Sequence, residues 1–196
     1  MMNTPSINIS VTNTSVTSAK WSVDDYHRMI EADILGDRQV ELLAGDIIEM
    51  SPETPLHYTT AKRGASYLER LLDGKADVRF NGPITLSNSE PEPDIAIVQP
   101  PDSLYCDRHP MPQDIFWVIE VAKSSLQNDM TLKATIYATN NIQEYWIVDL
   151  SVPQLLVFRS PQNNQYPQPL VITNGVISPL AFPTVVIDVK RLLTGI

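Results

Sequence analysis

The sequence predicts an α/β protein in which a sheet of mixed direction packs against helices. Apolar runs rich in valine, isoleucine and aromatic residues occur at Ile95–Val98, Ile115–Val121 and Tyr145–Val148. Runs of this length and composition are typical of strands buried on both faces. A segment of helical character lies between the second and third runs. This order predicts a right-handed βαβ crossover that joins two parallel strands.

The N-terminal part of the chain predicts a helix, a hairpin and a longer helix. Ser22 is a suitable N-cap with acidic residues after it, and the first helix is expected to end near Gly36. Two apolar runs separated by Ala-Gly-Asp within Val40–Met50 indicate a β-hairpin. The second helix is expected over Pro55–Leu72, closed by Asp73-Gly74.

The remaining elements follow from short apolar runs and proline-rich breaks. Stretches rich in proline and polar residues at 100–114 and 160–169 predict loops. The crossover helix is expected over Asp129–Asn140, and a short helix is expected from Asp188. Further strands are expected at Asp77–Phe80, Ile84–Leu86, Leu155–Phe158, Leu170–Ile172 and Val185–Ile187.

Length and composition are those of one ordinary globular domain. The 196 residues are 43% hydrophobic and 19% charged. Residues 1–20 lack a usable period and are expected to form a disordered or loosely attached arm before a single domain over 21–196. No membrane span or secretory signal is predicted, so a cytoplasmic location is expected. A single cysteine, Cys106, excludes an internal disulfide and a cysteine-rich zinc site.

The net charge of −9 argues against a general DNA-binding protein. Proteins that bind nucleic acid without specificity usually present a basic face. Chemistry on phosphodiesters is still compatible with this charge, because bound divalent cations invert the local field.

Two carboxylates interrupt the apolar runs and mark a candidate site. Asp94 directly precedes Ile95–Val98, and Glu120 lies within the next run. A buried ionised carboxylate costs several kcal/mol unless it is paired or bound to a cation. Asp94 could instead begin its strand in solvent, and Glu120 could mark the exit of its strand from the core. Together with Lys133 on the following helix, the pair favours a cation and phosphate site.

Several short segments, in this order, resemble one branch of a nuclease superfamily. They are Glu41–Asp46, Met50-Ser51-Pro52, His57, Pro93-Asp94-Ile95, Glu120-Val121, Asp129–Lys133 and Tyr145–Asp149. The resemblance is to the PD-(D/E)XK nucleases, and within them to the Uma-type restriction endonucleases of bacteria. It covers roughly residues 22–158. It implies a restriction endonuclease-like mixed sheet flanked by helices, with an N-terminal helix and hairpin and extra C-terminal strands.

The resemblance also implies roles for individual residues. Asp94, Glu120 and the main-chain carbonyl of Val121 would bind one Mg²⁺, for which Mn²⁺ could substitute. Lys133 would orient and activate the attacking water. Mg²⁺ suits this role because it accepts one or two protein carboxylates and retains positions for water and phosphate oxygens.

One position departs from the usual pattern of the superfamily. The lysine normally stands two residues after the second acid, where this chain has Ala122. Lys123 is close, but strand alternation points it to the opposite face. The Uma-type branch places its lysine on the following helix, which corresponds here to Lys133.

Three further residues are secondary candidates for the site, and each of them could instead have a purely structural role. Asp129 precedes Lys133 by four residues and could belong to the site or form a surface ion pair. Glu41 could reach the metal or lie on the hairpin surface. His57 could contact phosphate or assist proton transfer, although a lone histidine is more often structural. Glu90 and Glu92 are interpreted as a solvated approach to the Asp94 strand.

The leading hypothesis for function is Mg²⁺-dependent hydrolysis of DNA by an endonuclease. The alternative is a non-catalytic module of the same fold that binds a protein or nucleic-acid partner. Symmetric cleavage of two strands would suit a homodimer.

Overall fold

A six-stranded sheet forms the centre of the protein. The computed structural model describes residues 17–194. The strands of this sheet are β3 (Asp77–Phe80), β4 (Ile95–Val98), β5 (Ile115–Ala122), β6 (Glu144–Asp149), β7 (Gln154–Arg159) and β8 (Leu170–Ile172). They lie in the order β3-β4-β5-β6-β7-β8, in which β5 and β6 are parallel and each other neighbouring pair is antiparallel. The predicted mixed sheet is thereby confirmed.

The parallel pair β5 and β6 is joined by the predicted helical crossover. The helical segment begins at Leu126, earlier than expected, and contains three parts. These are α3 (Leu126–Asn128), a π-helical turn (Asp129–Lys133) and α4 (Ala134–Thr139). The hydroxyl of Tyr145 donates to the Asp129 carbonyl at the start of the π-helical turn. Single π-helical turns inside helices are frequent at functional sites.

Alternate residues of the strands build two apolar layers, one on each face of the sheet. One layer packs against α2 (Pro55–Leu71) and α5 (Val189–Leu193) and includes Trp117 and Trp146. The other packs against α4 and includes Tyr137. Because side chains alternate along a strand, residues of opposite parity face opposite layers.

The predicted N-terminal helix and hairpin are both present, and they pack together. Helix α1 (Val23–Glu31) has Ser22 as its N-cap, and Ser22 and Asp25 form a capping box. The hairpin strands β1 (Val40–Leu43) and β2 (Asp46–Glu49) are joined by the two-residue turn Ala44-Gly45. Both turn residues have positive φ, which matches the turns favoured in two-residue hairpins.

Three predictions for individual elements are wrong, and one strand was not predicted. Helix α1 ends at Glu31 rather than near Gly36, because Asp33 adopts a positive φ. Residues 84–86 form no strand, since their N–H groups bind the carbonyls of Pro91, Pro110 and Ser89 instead of a sheet neighbour. The C-terminal strand is β10 (Ile187–Asp188), shifted from the predicted 185–187. Its antiparallel partner β9 (Val176–Ile177) was not predicted.

Two further observations concern the ends and surface of the chain. Most of the predicted arm, residues 1–16, lies outside the described residues; residues 17–20 are exposed and contain no helix or strand. Lys20 pairs with Asp46 of the hairpin. Within residues 17–194, no helix is both long and apolar enough to cross a membrane.

Candidate active site

Asp94 and Glu120 lie opposite each other on adjacent antiparallel strands. In the β4–β5 register, Ile95 pairs with Ile119 and Ala96 pairs with Val118. One further step along this register sets Asp94 opposite Glu120, with both side chains on the α4 face of the sheet. Their exposed fractions are only 7% and 4%. The sheet thus holds two nearly buried carboxylates side by side.

One oxygen of Asp94 is held by protein donors. Its Oδ2 accepts the Val121 N–H at 2.6 Å, and Nε2 of His57 lies 3.3 Å from the same oxygen. The contact with Asp94 raises the pKa of His57, although partial burial of the ring opposes this shift. No residue of 17–194 donates a hydrogen bond to Oδ1 of Asp94. This oxygen can therefore accept another ligand.

The two carboxylate oxygens of Glu120 differ in the same way as those of Asp94. Its Oε1 accepts hydrogen bonds from Nζ of Lys133 at 3.0 Å and from the hydroxyl of Tyr137 at 2.8 Å. In the described part of the chain no donor reaches Oε2. Burial raises the pKa of Glu120 to about 8, and the charge of Asp94 contributes, whereas Lys133 lowers it. A cation near Oε2 would favour the ionised form of this carboxyl.

Lys133 is a buried cation surrounded by carboxylates. Its Nζ also lies 3.4 Å from Oε2 of Glu41. Burial favours the neutral amine, but the charges of Glu120, Glu41 and Asp129 outweigh burial and raise the pKa of Lys133 above its usual range. The side chain therefore keeps its proton and acts as a fixed positive charge.

The secondary candidates lie in the same place. Glu41 is buried on β1 and also accepts the N–H of Glu92 at 3.3 Å. Asp129 is buried at the start of the π-helical turn, and burial raises its pKa. One cleft of about 790 Å³ collects all the predicted site residues, namely Glu41, His57, Asp94, Glu120, Val121, Asp129 and Lys133.

The cleft is strongly acidic. Seven carboxylates of residues 17–194 line the cleft, namely Glu41, Glu49, Glu53, Glu92, Asp94, Glu120 and Asp129. Two lysines from the same range also line it, of which Lys133 is buried and Lys123 is exposed. Such a surface repels a polyanion unless cations neutralise it first.

The donors in the cleft suit a hard divalent cation. Glu53, His57 and Asp94 offer ligand atoms that all lie within 4.8 Å of one another. Asp94 is shared with the pair described above, in which Glu120 lies opposite it on β5. Carboxylate oxygens with open positions between them match the preference of Mg²⁺, and histidine adds a donor suited to Mn²⁺.

Sequence reasoning missed two residues of this arrangement. Tyr137 lies four residues after Lys133, and its hydrogen bond to Glu120 was not predicted. Glu53 lies in an exposed loop and is bound by the side-chain amide of Asn81, and no local pattern marks it. Glu90, interpreted as solvated, is buried and is bound by His27 and Thr85 instead.

Comparisons with known proteins agree with this architecture. The model of the Uma2 family, described as "Putative restriction endonuclease", matches residues 23–190. The chain is also similar to a crystal structure of a protein titled a putative nuclease of the DUF820 family from Anabaena variabilis. The two share 15% identity with a TM-score of 0.67, over 88% of this chain and 97% of that chain. At this identity the likeness shows a shared fold.

No curated protein matches the chain. The family model nevertheless spans most of the sequence, from helix α1 to helix α5. The chain therefore belongs to the Uma2 family of putative restriction endonucleases.

Proposed function

We propose that this protein is a Mg²⁺-dependent endonuclease that hydrolyses phosphodiester bonds of DNA. The observation that carries the proposal is the pairing of Asp94 and Glu120 on adjacent strands. Each carboxylate has one oxygen engaged by protein donors and one oxygen available to a ligand. Membership of a family described as "Putative restriction endonuclease" supports the same chemistry.

Asp94, Glu120 and the main-chain carbonyl of Val121 would hold the cation. The N–H of Val121 binds Asp94, which couples the position of this peptide unit to that of the carboxylate. When bound, Mg²⁺ polarises a phosphate oxygen and lowers the pKa of a coordinated water. The protein contributes by holding the two carboxylates in place and keeping their free oxygens on the cleft.

Lys133 would orient the attacking water and stabilise negative charge that develops on the phosphate. Its ammonium is fixed by Glu120 and lies near Glu41, so little rearrangement is required during the reaction. The surrounding carboxylates keep it protonated, which suits electrostatic stabilisation rather than proton abstraction. Glu41 would act as a positioning residue for this lysine.

His57 is suited to contact the substrate phosphate or to transfer a proton. Its ring is partly exposed to the cleft, and its pKa is raised by Asp94. Asp129 would help to hold the charge of Lys133. Because seven carboxylates line the cleft, occupation by a cation would precede the approach of DNA.

The proposal is tested by combining metal binding with cleavage. Mn²⁺ should raise the Tm of the wild type, and Mg²⁺ or Mn²⁺ should support cleavage of plasmid DNA. Asp94→Asn and Glu120→Gln should lose both effects while remaining folded. Glu49→Gln is the matched control, because Glu49 lines the cleft but is exposed at the end of β2.

The possible results separate the two hypotheses for function. An equal rise in Tm for the wild type and for Asp94→Asn would remove the proposed metal site. A metal-dependent rise without cleavage of any DNA would favour the non-catalytic binding module. A homodimer and a cytoplasmic location remain predictions, which sedimentation and fractionation can test.

A further inference from the structure

The basic side chains of this acidic protein are unevenly distributed. All 14 lysines and arginines lie within residues 17–194. In this range, five of them form ion pairs with carboxylates: Lys20, Arg28, Arg108, Lys133 and Arg159. The other nine therefore carry positive charge that no carboxylate of residues 17–194 neutralises within 4.0 Å.

Six of these nine cations share one surface of the molecule. They lie on α2, on the turn after α2 and on α5, and all six are exposed. We name this surface the α2–α5 basic face, and it consists of Lys62, Arg63, Arg70, Lys75, Lys190 and Arg191. The remaining three cations lie on other parts of the surface. Arg38 donates to the carbonyls of Ile34 and Leu35 in the turn after α1. Arg79 stacks on the ring of Tyr105, and Lys123 lines the cleft.

The two helices form a continuous surface because they pack directly together. The hydroxyl of Tyr67 on α2 accepts the N–H of Asp188 at 2.9 Å. The guanidinium of Arg191 lies 5.3 Å from the centre of the same tyrosine ring. A side chain at Gly64 would also be in contact with Leu192 of α5. The six cations are therefore held on a common rigid support.

Few acids offset this face. The exposed acids on the same elements are Glu69, Asp73 and Asp188. Asp188 is engaged at the N-terminus of α5, where it accepts the N–H of Lys190. The face is thus net positive although the whole chain carries −9. A local positive field of this kind attracts a polyanion.

The face is connected to the cleft through helix α2. Thr54 and His57, at the start of this helix, line the cleft. Lys62 follows five residues later, which is about 7 Å along a helix axis. Within α2 the stretch from Lys62 to Arg70 extends for about 12 Å, comparable with roughly three to four steps of 3.4 Å along one DNA strand.

We propose that the α2–α5 basic face binds the phosphate backbone of duplex DNA. This inference rests on the proposed function, because it assigns the contact that would hold DNA while its scissile phosphate lies in the acidic cleft. Contacts of this kind position a duplex without reading its sequence. They would offset the repulsion expected from the net charge of the protein.

Binding of a fluorescent 30-base-pair duplex, followed by anisotropy with Ca²⁺ in place of Mg²⁺, tests the inference. The test variant combines Lys62→Ala, Arg63→Ala and Arg70→Ala. The matched control combines Lys20→Ala, Arg28→Ala and Arg38→Ala, which removes the same charge from another part of the surface. All six side chains are exposed, so both proteins should fold.

We expect the test variant to bind at least about tenfold more weakly and the control to change less than about twofold. The slope of log K against log salt should decrease by about 2 to 3 in the test variant, because three phosphate contacts are removed. Equal weakening of both variants would overturn the inference, since it would reflect net charge alone. So would binding to vesicles of anionic lipid in preference to the duplex.

The experiment distinguishes failure of this DNA-binding assignment from failure of the proposed catalytic function. A wild type that cuts DNA, with a test variant that binds as well as the control, would overturn only the assignment of this face. A wild type that binds duplex through this face but never cuts it would overturn only the catalytic proposal.

Discussion

Lys133 and Tyr137 bind the same oxygen of Glu120, and this convergence determines how the carboxylate is oriented. The two residues are one helical turn apart, after the π-helical turn that ends at Lys133. Because both donors engage Oε1, the other oxygen remains available to the cleft. Tyr137 is therefore best described as a positioning residue.

Tyr137→Phe should weaken Mn²⁺ binding severalfold and lower the free energy of unfolding by about 1 to 2 kcal/mol. The hydroxyl donates to the buried Glu120, and removing one partner of a buried hydrogen bond leaves the other unsatisfied at a cost of about 1 to 3 kcal/mol. Titration of Mn²⁺ against Tm and urea unfolding measure the two effects. Tyr166→Phe is the matched control, because its hydroxyl binds the carbonyl of Ile142 outside the cleft. Equal losses of metal affinity in both variants would contradict the positioning role.

Lys133→Ala should reduce cleavage by on the order of 10²-fold or more with metal binding largely retained. The loss follows because one preorganised positive charge near the reacting phosphate is removed. Lys123→Ala should reduce cleavage only a fewfold, because Lys123 is exposed and makes no ion pair with the described carboxylates. Initial rates of plasmid nicking measure both. If Lys123→Ala is inactive and Lys133→Ala cuts normally, the assignment of the lysine is wrong.

At the scale of the element, the hairpin turn depends on Gly45. Its φ is +80°, and a Cβ there would lie 2.9 Å from Cβ of Lys20 and 3.1 Å from the carbonyl oxygen of Trp21. The N–H of Trp21 also binds the Gly45 carbonyl at 2.9 Å. This turn thereby ties residues 20 and 21 to the hairpin that carries Glu41.

Gly45→Ala should destabilise the protein by more than Gly175→Ala. Both glycines have positive φ, so a side chain adds about 1 to 2 kcal/mol of backbone strain at either position. Only at Gly45 does the new Cβ also collide with neighbouring atoms, whereas nothing lies within 4 Å of it at Gly175. Urea unfolding compares the two variants. Equal destabilisation would show that the collision is relieved by movement of residues 20 and 21.

At the scale of the whole molecule, the sheet joins the two apolar layers into one unit. Trp117 and Val118 are neighbours on β5, yet they belong to opposite layers. Loss of one layer would expose the strands that support the other. This continuity favours the predicted single domain over 21–196.

The protein should therefore unfold in one cooperative transition. Fluorescence of the buried Trp117 and Trp146 and far-ultraviolet circular dichroism should give coincident thermal curves. Separate transitions would indicate that α1 and the hairpin, which form their own small cluster around Tyr26, unfold independently.

Local patterns in the sequence determined most of the elements and several members of the candidate site. The strands β4, β5 and β6 follow from short apolar runs, and the start of α1 follows from its capping residues, because both signals act over a few residues. Asp94 and Glu120 were recognisable because a charge inside an apolar run requires a partner. Lys133 was marked by its place on the helix after the Glu120 strand and Asp129 by its spacing of four to Lys133, whereas the role of Lys133 and the choice of Glu41 and His57 followed from the family resemblance.

Tertiary structure decided how these residues meet. The β4–β5 register, which sets Asp94 opposite Glu120, joins residues about 25 positions apart and has no local signature. The contacts of Glu53 and Glu90 depend on side chains from distant segments, so their sequence neighbours could not reveal them. Residues 84–86 have the composition of a strand, but their N–H groups bind the carbonyls of Pro91, Pro110 and Ser89 and not those of a neighbouring strand. Short-range propensity therefore specified the elements, whereas pairing over long sequence distances specified the cleft, because burial and hydrogen bonding are settled only when the whole chain is packed.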